Sequence, residues 1–492
     1  MCRDWLILGI VLAWPIGVAM AAGERAVIGH VDQQDVERGL WTAGQLQQAG
    51  ERLFKEPFTA LDGAGRHGAT GNASPTRRII DPSRGFLRTG GPDANSCAGC
   101  HAQPFVGGAG DFVANVFAGT PARDFAVSID PGLVAERGTT SMNGSGAIEM
   151  LAREMTRDLQ GIRGQAVDQA RRSGRPARKA LLAKGVSFGH VTGHPNGSVT
   201  LAEVEGVDRD LVIRPWLQKG VVSSLRTFTV NALNQHHGMQ ARERFGYQLT
   251  GTDDFDRDGA PDELTEGDVT ALVIFQAALN LPGRVLPADA EARRLVQRGE
   301  ELFRASACAR CHVPEMVLDE PVFSEPGPYN LEGTLRVGEV STVFLLDLTR
   351  DTVAPRLERR DDGRAVVRAY TDLKRHRICD AERPHFCNEN LVQGFAPTDH
   401  FLTKRLWDAG STAPYGHRGD LTTLRDAILQ HGGEAREARL RYEALDASDQ
   451  ESLLAFLRSL RILPPGSEPT IIEASTEPLP YRAERREPRP SR

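Results

Sequence analysis

The sequence predicts a mainly α-helical chain built as two similar domains with small β-hairpin insertions, and three observations carry that expectation. The motif Cys-x-x-Cys-His occurs twice, at Cys97-Ala98-Gly99-Cys100-His101 and at Cys308-Ala309-Arg310-Cys311-His312. A helical segment precedes each copy: Ala49-Gly50-Glu51-Arg52-Leu53-Phe54 resembles Arg298-Gly299-Glu300-Glu301-Leu302-Phe303, a weak internal repeat. Apolar residues at helical spacing recur along the chain, whereas alternation of period two is confined to short stretches.

Two thiols three residues apart share one turn of chain, so both can add to the vinyl groups of one porphyrin while the adjacent imidazole reaches its iron. A single copy would leave a zinc half-site open. Two complete copies point to two covalently bound haem c groups, anchored by Cys97 with Cys100 and by Cys308 with Cys311, and ligated by His101 and His312. The domains are therefore expected to be cytochrome c-like, with an N-terminal helix packed on each haem-binding turn.

The 492 residues suffice for two or three domains, and a charged fraction of 25% is ordinary for a globular protein. A net charge of -6 without a dominant basic run argues against nucleic acid as a partner. Residues 1–22 read as a signal peptide: Arg3, an apolar run from Trp5 to Met20, then small residues at an A-x-A-like cleavage site. The expected location is periplasmic or secreted, with no membrane span after cleavage; a retained N-terminal anchor is the alternative. Cys2 would be lost with the signal. Cys379 and Cys387 remain after the haem motifs are counted, and in an oxidising compartment they most simply close a small disulfide loop, against two free buried thiols.

The expected domains are 23–285, N-terminal and haem-binding, and 286–463, C-terminal and haem-binding, with a flexible tail at 464–492. Leu46, Ala49, Leu53 and Phe54 predict a helix from Gln45 that ends at Pro57. A Gly-, Arg- and Asn-rich insertion, read as a surface loop, separates Phe54 from Cys97. Ala147 to Ser173 reads as one or two amphipathic helices with Ile148, Leu151, Met155 and Leu159 on one side. Alternating Val and Phe from Gly185 to Ile213 predict a hairpin that turns at Pro195-Asn196-Gly197. A helix is expected over Val269 to Leu281, then a boundary at Leu286-Pro287, then a strand pair formed by 340–348 and 365–373. Thr423 and Asp426 have capping-box spacing ahead of a short helix that reaches His431 and stops at Gly432.

A histidine at a helix end is usually just a favourable cation at the dipole, but the surrounding residues say more. Phe401-Leu402-Thr403-Lys404-Arg405-Leu406-Trp407, Ala413-Pro414-Tyr415-Gly416-His417-Arg418-Gly419 and Thr423-Leu424-Arg425-Asp426-Ala427-Ile428 resemble the C-terminal signature of the bacterial di-haem cytochrome c peroxidase and MauG superfamily. Gln430-His431-Gly432-Gly433-Glu434 narrows the resemblance to its di-haem oxidoreductase (peroxidase) branch. In the peroxidases the position fourteen after the conserved histidine is a methionine ligand and in MauG a tyrosine; counted from His417 it is His431. The resemblance thus implies a closed, bis-histidine C-terminal haem held by His312 and His431, with His417 near the haem edge. Arg418 stands where the family has aspartate. Trp216-Leu217-Gln218-Lys219-Gly220 resembles the family's Trp-Gln-Lys-Gly stretch with one residue added, which implies Trp216 as an inter-haem relay; a core aromatic is the alternative.

The N-terminal haem is the expected reaction centre. The family's distal histidine position, sixteen after His101, is Phe117, so the distal side is expected to be open. Peroxide cleavage needs a base and an acid, and Gln235-His236-His237-Gly238-Met239-Gln240 occupies the corresponding distal segment. His237 and Glu243 are the candidates for acid and base, with His236 and Gln240 as alternates, against a solvated polar helix face. Separately, Asp254, Asp256, Asp258 and Asp262 have the alternate spacing of a small calcium loop, with Glu266 as another closing ligand and a solvated acidic turn as the alternative. The expected function is a periplasmic di-haem peroxidase that reduces hydrogen peroxide with electrons passed from the C-terminal to the N-terminal haem. The alternatives are a MauG-like or oxygenase activity on a protein or organic substrate, and a plain electron carrier. The expected partners are a small redox protein, cytochrome c or cupredoxin, as donor and hydrogen peroxide or dioxygen as oxidant.

Overall fold

Two helix pairs form the frame, and in each the same small residue allows the contact. The computed structural model describes residues 26–65, 93–116, 135–256, 258–389 and 392–473; the expected signal segment, Phe117, most of the insertion before Cys97 and residues 474–492 lie outside them. Helix Ala43–Lys55 starts with a capping box, in which Gln45 N donates to Thr42 Oγ1 and Thr42 N donates to Gln45 Oε1. It ends before Pro57, which disfavours helical backbone in the residue ahead of it. Its buried face is Leu46, Ala49, Gly50, Leu53 and Phe54. That face packs on Glu266–Ala277, itself capped by Thr265 and Asp268.

The second pair repeats the first. Helix Ala290–Ala305 packs on Ala447–Ser459. A Cβ built on Gly50 would lie 2.0 Å from Ala271 O and 2.7 Å from Phe275 Cβ. One built on Gly299 would lie 1.9 Å from Ser452 O and 2.8 Å from Phe456 Cβ. Phe54 then stacks between Phe275 (5.1 Å) and His101 (6.3 Å), and Phe303 between Phe456 (5.4 Å) and His312 (6.4 Å). The repeat seen in six residues of sequence is thus a repeat of helix packing that ends on the histidine of each motif.

The rest of the chain corrects the mainly α-helical, cytochrome-like expectation. Helices account for 36% of residues and strands for 16%, and the strands form six small sheets among the described residues. Most of these strands are two to four residues long, too short to leave an alternating pattern. The hairpin pairs Ala177–Ala183 with Val186–Gly193 and turns at Lys184-Gly185, both at positive φ; Pro195-Asn196-Gly197 turns only into the short strand Val199–Thr200. The stretches 340–348 and 365–373 do not pair with each other: Phe344–Asp347 joins Val322–Glu325, and Ala365–Val367 joins Met316–Leu318. Ser145–Ser173 is one helix of 29 residues, with Ile148, Leu151, Met155 and Leu159 buried. Gly283–Leu286, at the expected boundary, pairs with Leu460–Arg461 and, in parallel, with Ile471–Glu473, so the first part of the expected tail is held in a sheet. No helix among the described residues is long and apolar enough to cross a membrane.

Because a backbone oxygen faces the position, Gly299→Ala is expected to cost about 1–3 kcal/mol of stability through overpacking. Gly161→Ala, in the same class of substitution but with nothing within 4 Å of the added carbon, is expected to gain up to about 1 kcal/mol from helix propensity. Thermal melts of the two variants check the opposite signs.

Candidate functional site

Each Cys-x-x-Cys-His turn opens into its own cavity. Cys308–Arg310 is a single 3-10 turn, and His312 N donates to Cys308 O at 3.0 Å, which carries the imidazole to the inner side. His312 Nδ1 lies 3.2 Å from Tyr370 O and 3.0 Å from Lys404 O, so its proton is spent on backbone and Nε2 is left free. Burial pushes the His312 pKa down to about 4, so the ring is neutral, as a metal ligand must be. The cavity in front of it measures about 520 Å³ and is bordered by Cys308, Cys311, Phe401, His417 and His431, within the ~300–1,000 Å³ range of small-molecule sites.

His431 follows helix Leu424–Leu429, whose N-cap Thr423 accepts from Asp426 N. Its Nδ1 donates to Ala427 O at 2.7 Å, again freeing Nε2, and burial lowers its pKa. The loop behind it is pinned by the strand-and-disulfide segment 376–387. Gly432 N donates to Ile378 O and Gly433 N to Asp380 Oδ2, both at 2.8 Å, while Arg377 N donates to Glu434 Oε1 at 2.8 Å. His376 bridges Glu434 and Asp372, each at 2.7 Å. Cys379 and Cys387 are disulfide-bonded, and the loop they close holds Phe386 5.9 Å from His431 and 5.8 Å from His417. His417 is buried against Phe401 at 4.4 Å; burial first, then the cations Arg137, Lys219 and Arg418, hold it neutral.

The N-terminal cavity measures about 180 Å³ and is bordered by Phe54, Cys97, Cys100, His101, Trp216 and His237. His101 is buried and neutral, its pKa lowered to about 4 by burial. His237 Nδ1 donates to Ala94 O at 2.6 Å and its Nε2 lies 3.5 Å from Cys97 Sγ; burial lowers its pKa to about 4. His236 also borders the cavity and pairs with Asp93 at 2.7 Å. Trp216 is buried, with its ring 6.0 Å from Phe228 and Nε1 unpartnered.

Glu243 and Gln240 must be withdrawn as cavity groups. The helical turn Leu233–His237 ends at Gly238 in the left-handed conformation, and the chain beyond it leads away. Glu243 is buried in an ion pair with Arg226 at 2.6 Å, and Arg226 bridges onward to Glu325 at 2.7 Å. Gln240 N donates to Glu263, and neither Gln240 nor Glu243 borders the cavity.

In the acidic loop, carboxylate oxygens of Asp254, Asp256 and Asp258 lie within 4.8 Å of one another. Asp262 is outside this cluster and faces Arg242 at 3.9 Å, and Glu266 is ion-paired to Arg242. Glu263 lies outside the cluster too but near enough to feel its charge. Burial, reinforced by the three aspartates, raises its pKa to about 10, while Asp256 is raised to about 7 by burial and its two neighbours. The residues suit a hard cation with oxygen ligands.

The donor set and cavities fit covalent haem: four free cysteines sit in pairs at the rims, and a neutral imidazole stands beside each pair, with Nε2 free at His312. Residues that the sequence reading missed are Lys404 and Arg405, which border both cavities, and His376. Lys404 and Arg405 lie inside a quoted stretch, but no spacing marks a cation that faces inward.

No family model matches this sequence, and no curated protein matches it. Among solved structures, hydrazine synthase of Kuenenia stuttgartiensis, in a xenon-pressurized form, is similar over 94% of this chain and 100% of its own, at 13% identity and a TM-score of 0.35. A likeness that slight carries neither fold nor function.

Burial disfavours the His376 imidazolium, but its bonds to Asp372, Cys311 and Glu434 outweigh burial and raise its pKa to about 11 from the ordinary 6.5. A raised pKa gives stability that is full below about 6.5 and is lost as pH rises through 11. Denaturant unfolding between pH 7 and 11 is therefore expected to show stability falling with pH in the native protein and a flatter profile in His376→Gln.

Proposed function

We propose that the chain is an exported di-haem c oxidoreductase, periplasmic or secreted, of the type its sequence resembles, and that its reaction is the reduction of hydrogen peroxide to water. One observation carries the reading: the asymmetry between the two cavities. In the larger one His312 and His431 both offer a free Nε2, each backed by a carbonyl on Nδ1. In the smaller one His101 has no such counterpart among the described residues, since the free nitrogen of His237 lies against Cys97 Sγ.

The residues that would hold the two groups are Cys97, Cys100 and His101 in one cavity and Cys308, Cys311, His312 and His431 in the other. Haem c, when bound, would supply a one-electron redox iron. The chain's own residues do the rest. His431, held by its glycine loop, would be the second protein ligand in its cavity, so that end would handle electrons drawn from a small redox protein such as a cytochrome c or cupredoxin. Trp216 lies beside the wall between the cavities. At the open end His237 is neutral and can take a proton at Nε2; its low pKa makes it quick to return that proton. His236, tied to Asp93, is the second proton-holding group there. One peroxide takes up two electrons and two protons and leaves as two waters.

Expression with cytochrome c maturation is expected to yield two covalent haems per chain, one low-spin and one high-spin by EPR. His431→Ala is expected to turn the low-spin signal high-spin; an unchanged signal would reassign the ligand. His237→Gln is expected to lower peroxide turnover about 10²–10⁴-fold with spin states intact. Two low-spin haems inert to cyanide and peroxide would make the protein a carrier.

We propose also that Asp254, Asp256 and Asp258 bind calcium. At a hundredfold excess over Kd, calcium is expected to stabilise the fold by about 3 kcal/mol. A melting temperature that rises with calcium in the native protein and is indifferent to it in Asp256→Asn checks the assignment.

A further inference from the structure

The strip Thr403-Lys404-Arg405 belongs to both cavities. Its backbone serves one motif histidine and its charge reaches the other. Lys404 O accepts from His312 Nδ1 at 3.0 Å. Burial lowers the His101 pKa first, and the Lys404 ammonium is near enough to add to the effect. Lys404 is thus the residue through which the two sites touch.

Its side chain faces inward without a close partner. Lys404 is an exposed residue that borders both cavities, and burial lowers its pKa to about 8. Arg405 donates from Nη2 to Ser141 O at 2.9 Å and lies 5.8 Å from the Trp216 ring, but its Nη1 is buried with no acceptor. Trp216, 3% exposed, also has an Nε1 donor with no acceptor, and it borders the N-terminal cavity together with Lys404 and Arg405. Asp408 is the carboxylate that faces the two cations, and it is buried with its own Oδ1 unpartnered. Two cations therefore stand against one carboxylate. Buried donors without acceptors are costly, and two of them on one wall, Arg405 Nη1 and Trp216 Nε1, beside the Lys404 ammonium imply an anion with several oxygens.

We infer that Lys404, Arg405 and Trp216 form a carboxylate-binding site in the wall between the cavities, and that it receives the acidic propionate side chains of the tetrapyrroles on either side. The inference rests on the two-haem reading above. It gives the wall two duties: it fixes the rotation of each macrocycle by charge-assisted hydrogen bonds, and it keeps positive charge between the two redox centres, which favours the reduced form of both. A substitution in this strip is then felt at both haems, although they hang on motifs two hundred residues apart.

The test compares Lys404→Met and Arg405→Met with the charge-keeping Lys404→Arg and Arg405→Lys in the full, matured chain. Covalent haem is counted on denaturing gels, propionate bending bands are followed by resonance Raman spectroscopy, and both reduction potentials are titrated. The expected result is full haem content throughout, with propionate bands displaced and both potentials lowered in the methionine variants and retained in the charge-keeping ones. Loaded methionine variants with native propionate bands overturn the inference, even if a potential moves, since charge alone would then be acting without contact. If Arg405→Met misfolds through loss of its Ser141 bond, Lys404→Met decides, because its side chain makes no bond that the fold needs. Native protein without covalent haem overturns the two-haem reading itself, an outcome distinct from the others.

Discussion

Everything in this molecule depends on how closely two helix backbones approach at Gly50 and at Gly299. With any side chain there, Ala271 O and Ser452 O would be struck by the added carbon. The helices would separate, and Phe54 and Phe303 would leave their places between a second-helix phenylalanine and a motif histidine. The packing density of a protein interior does not absorb such a shift locally. Each histidine is therefore positioned by a chain of contacts that starts at a missing methyl group.

From that start the two halves diverge. On the C-terminal side, Tyr370 and Lys404 carbonyls orient His312, and a loop braced by Asp380, Arg377 and His376 presents His431 across the same cavity. On the N-terminal side, the left-handed turn at Gly238 stops the helix after two histidines and turns the chain away. One frame thus supports a doubly furnished cavity and a singly furnished one. Their common wall carries more positive charge than its single carboxylate offsets.

Much of this was legible because it is local. The cysteine pairs, their histidines, the capping pair Thr423 and Asp426, and the glycine-containing repeat all declare themselves within a few residues. His431 was found by counting from His417, and it does border the same cavity as His312. What failed depended on contacts far apart in sequence. Short strands have no period to detect, so the sheets were missed and two real strands were given the wrong partners. Glu243 looked available because its partner Arg226 lies a helix away, and Asp262 looked like a ligand because nothing in an alternating acidic run reveals which carboxylate turns outward. Lys404 and Arg405 were given no role, since only the fold shows that they border both cavities.

The thiols have a further consequence. Six cysteines share the chain after the first thirty residues, and the fold oxidises two of them while leaving four free. Disulfide exchange requires a thiolate, and burial raises the pKa of Cys97 and of Cys308 to about 12. One member of each C-x-x-C pair is thereby favoured as the thiol, which slows exchange at the motifs as long as no haem is attached. The same burial that walls off the cavities also acts as chemical selectivity among otherwise identical sulfurs.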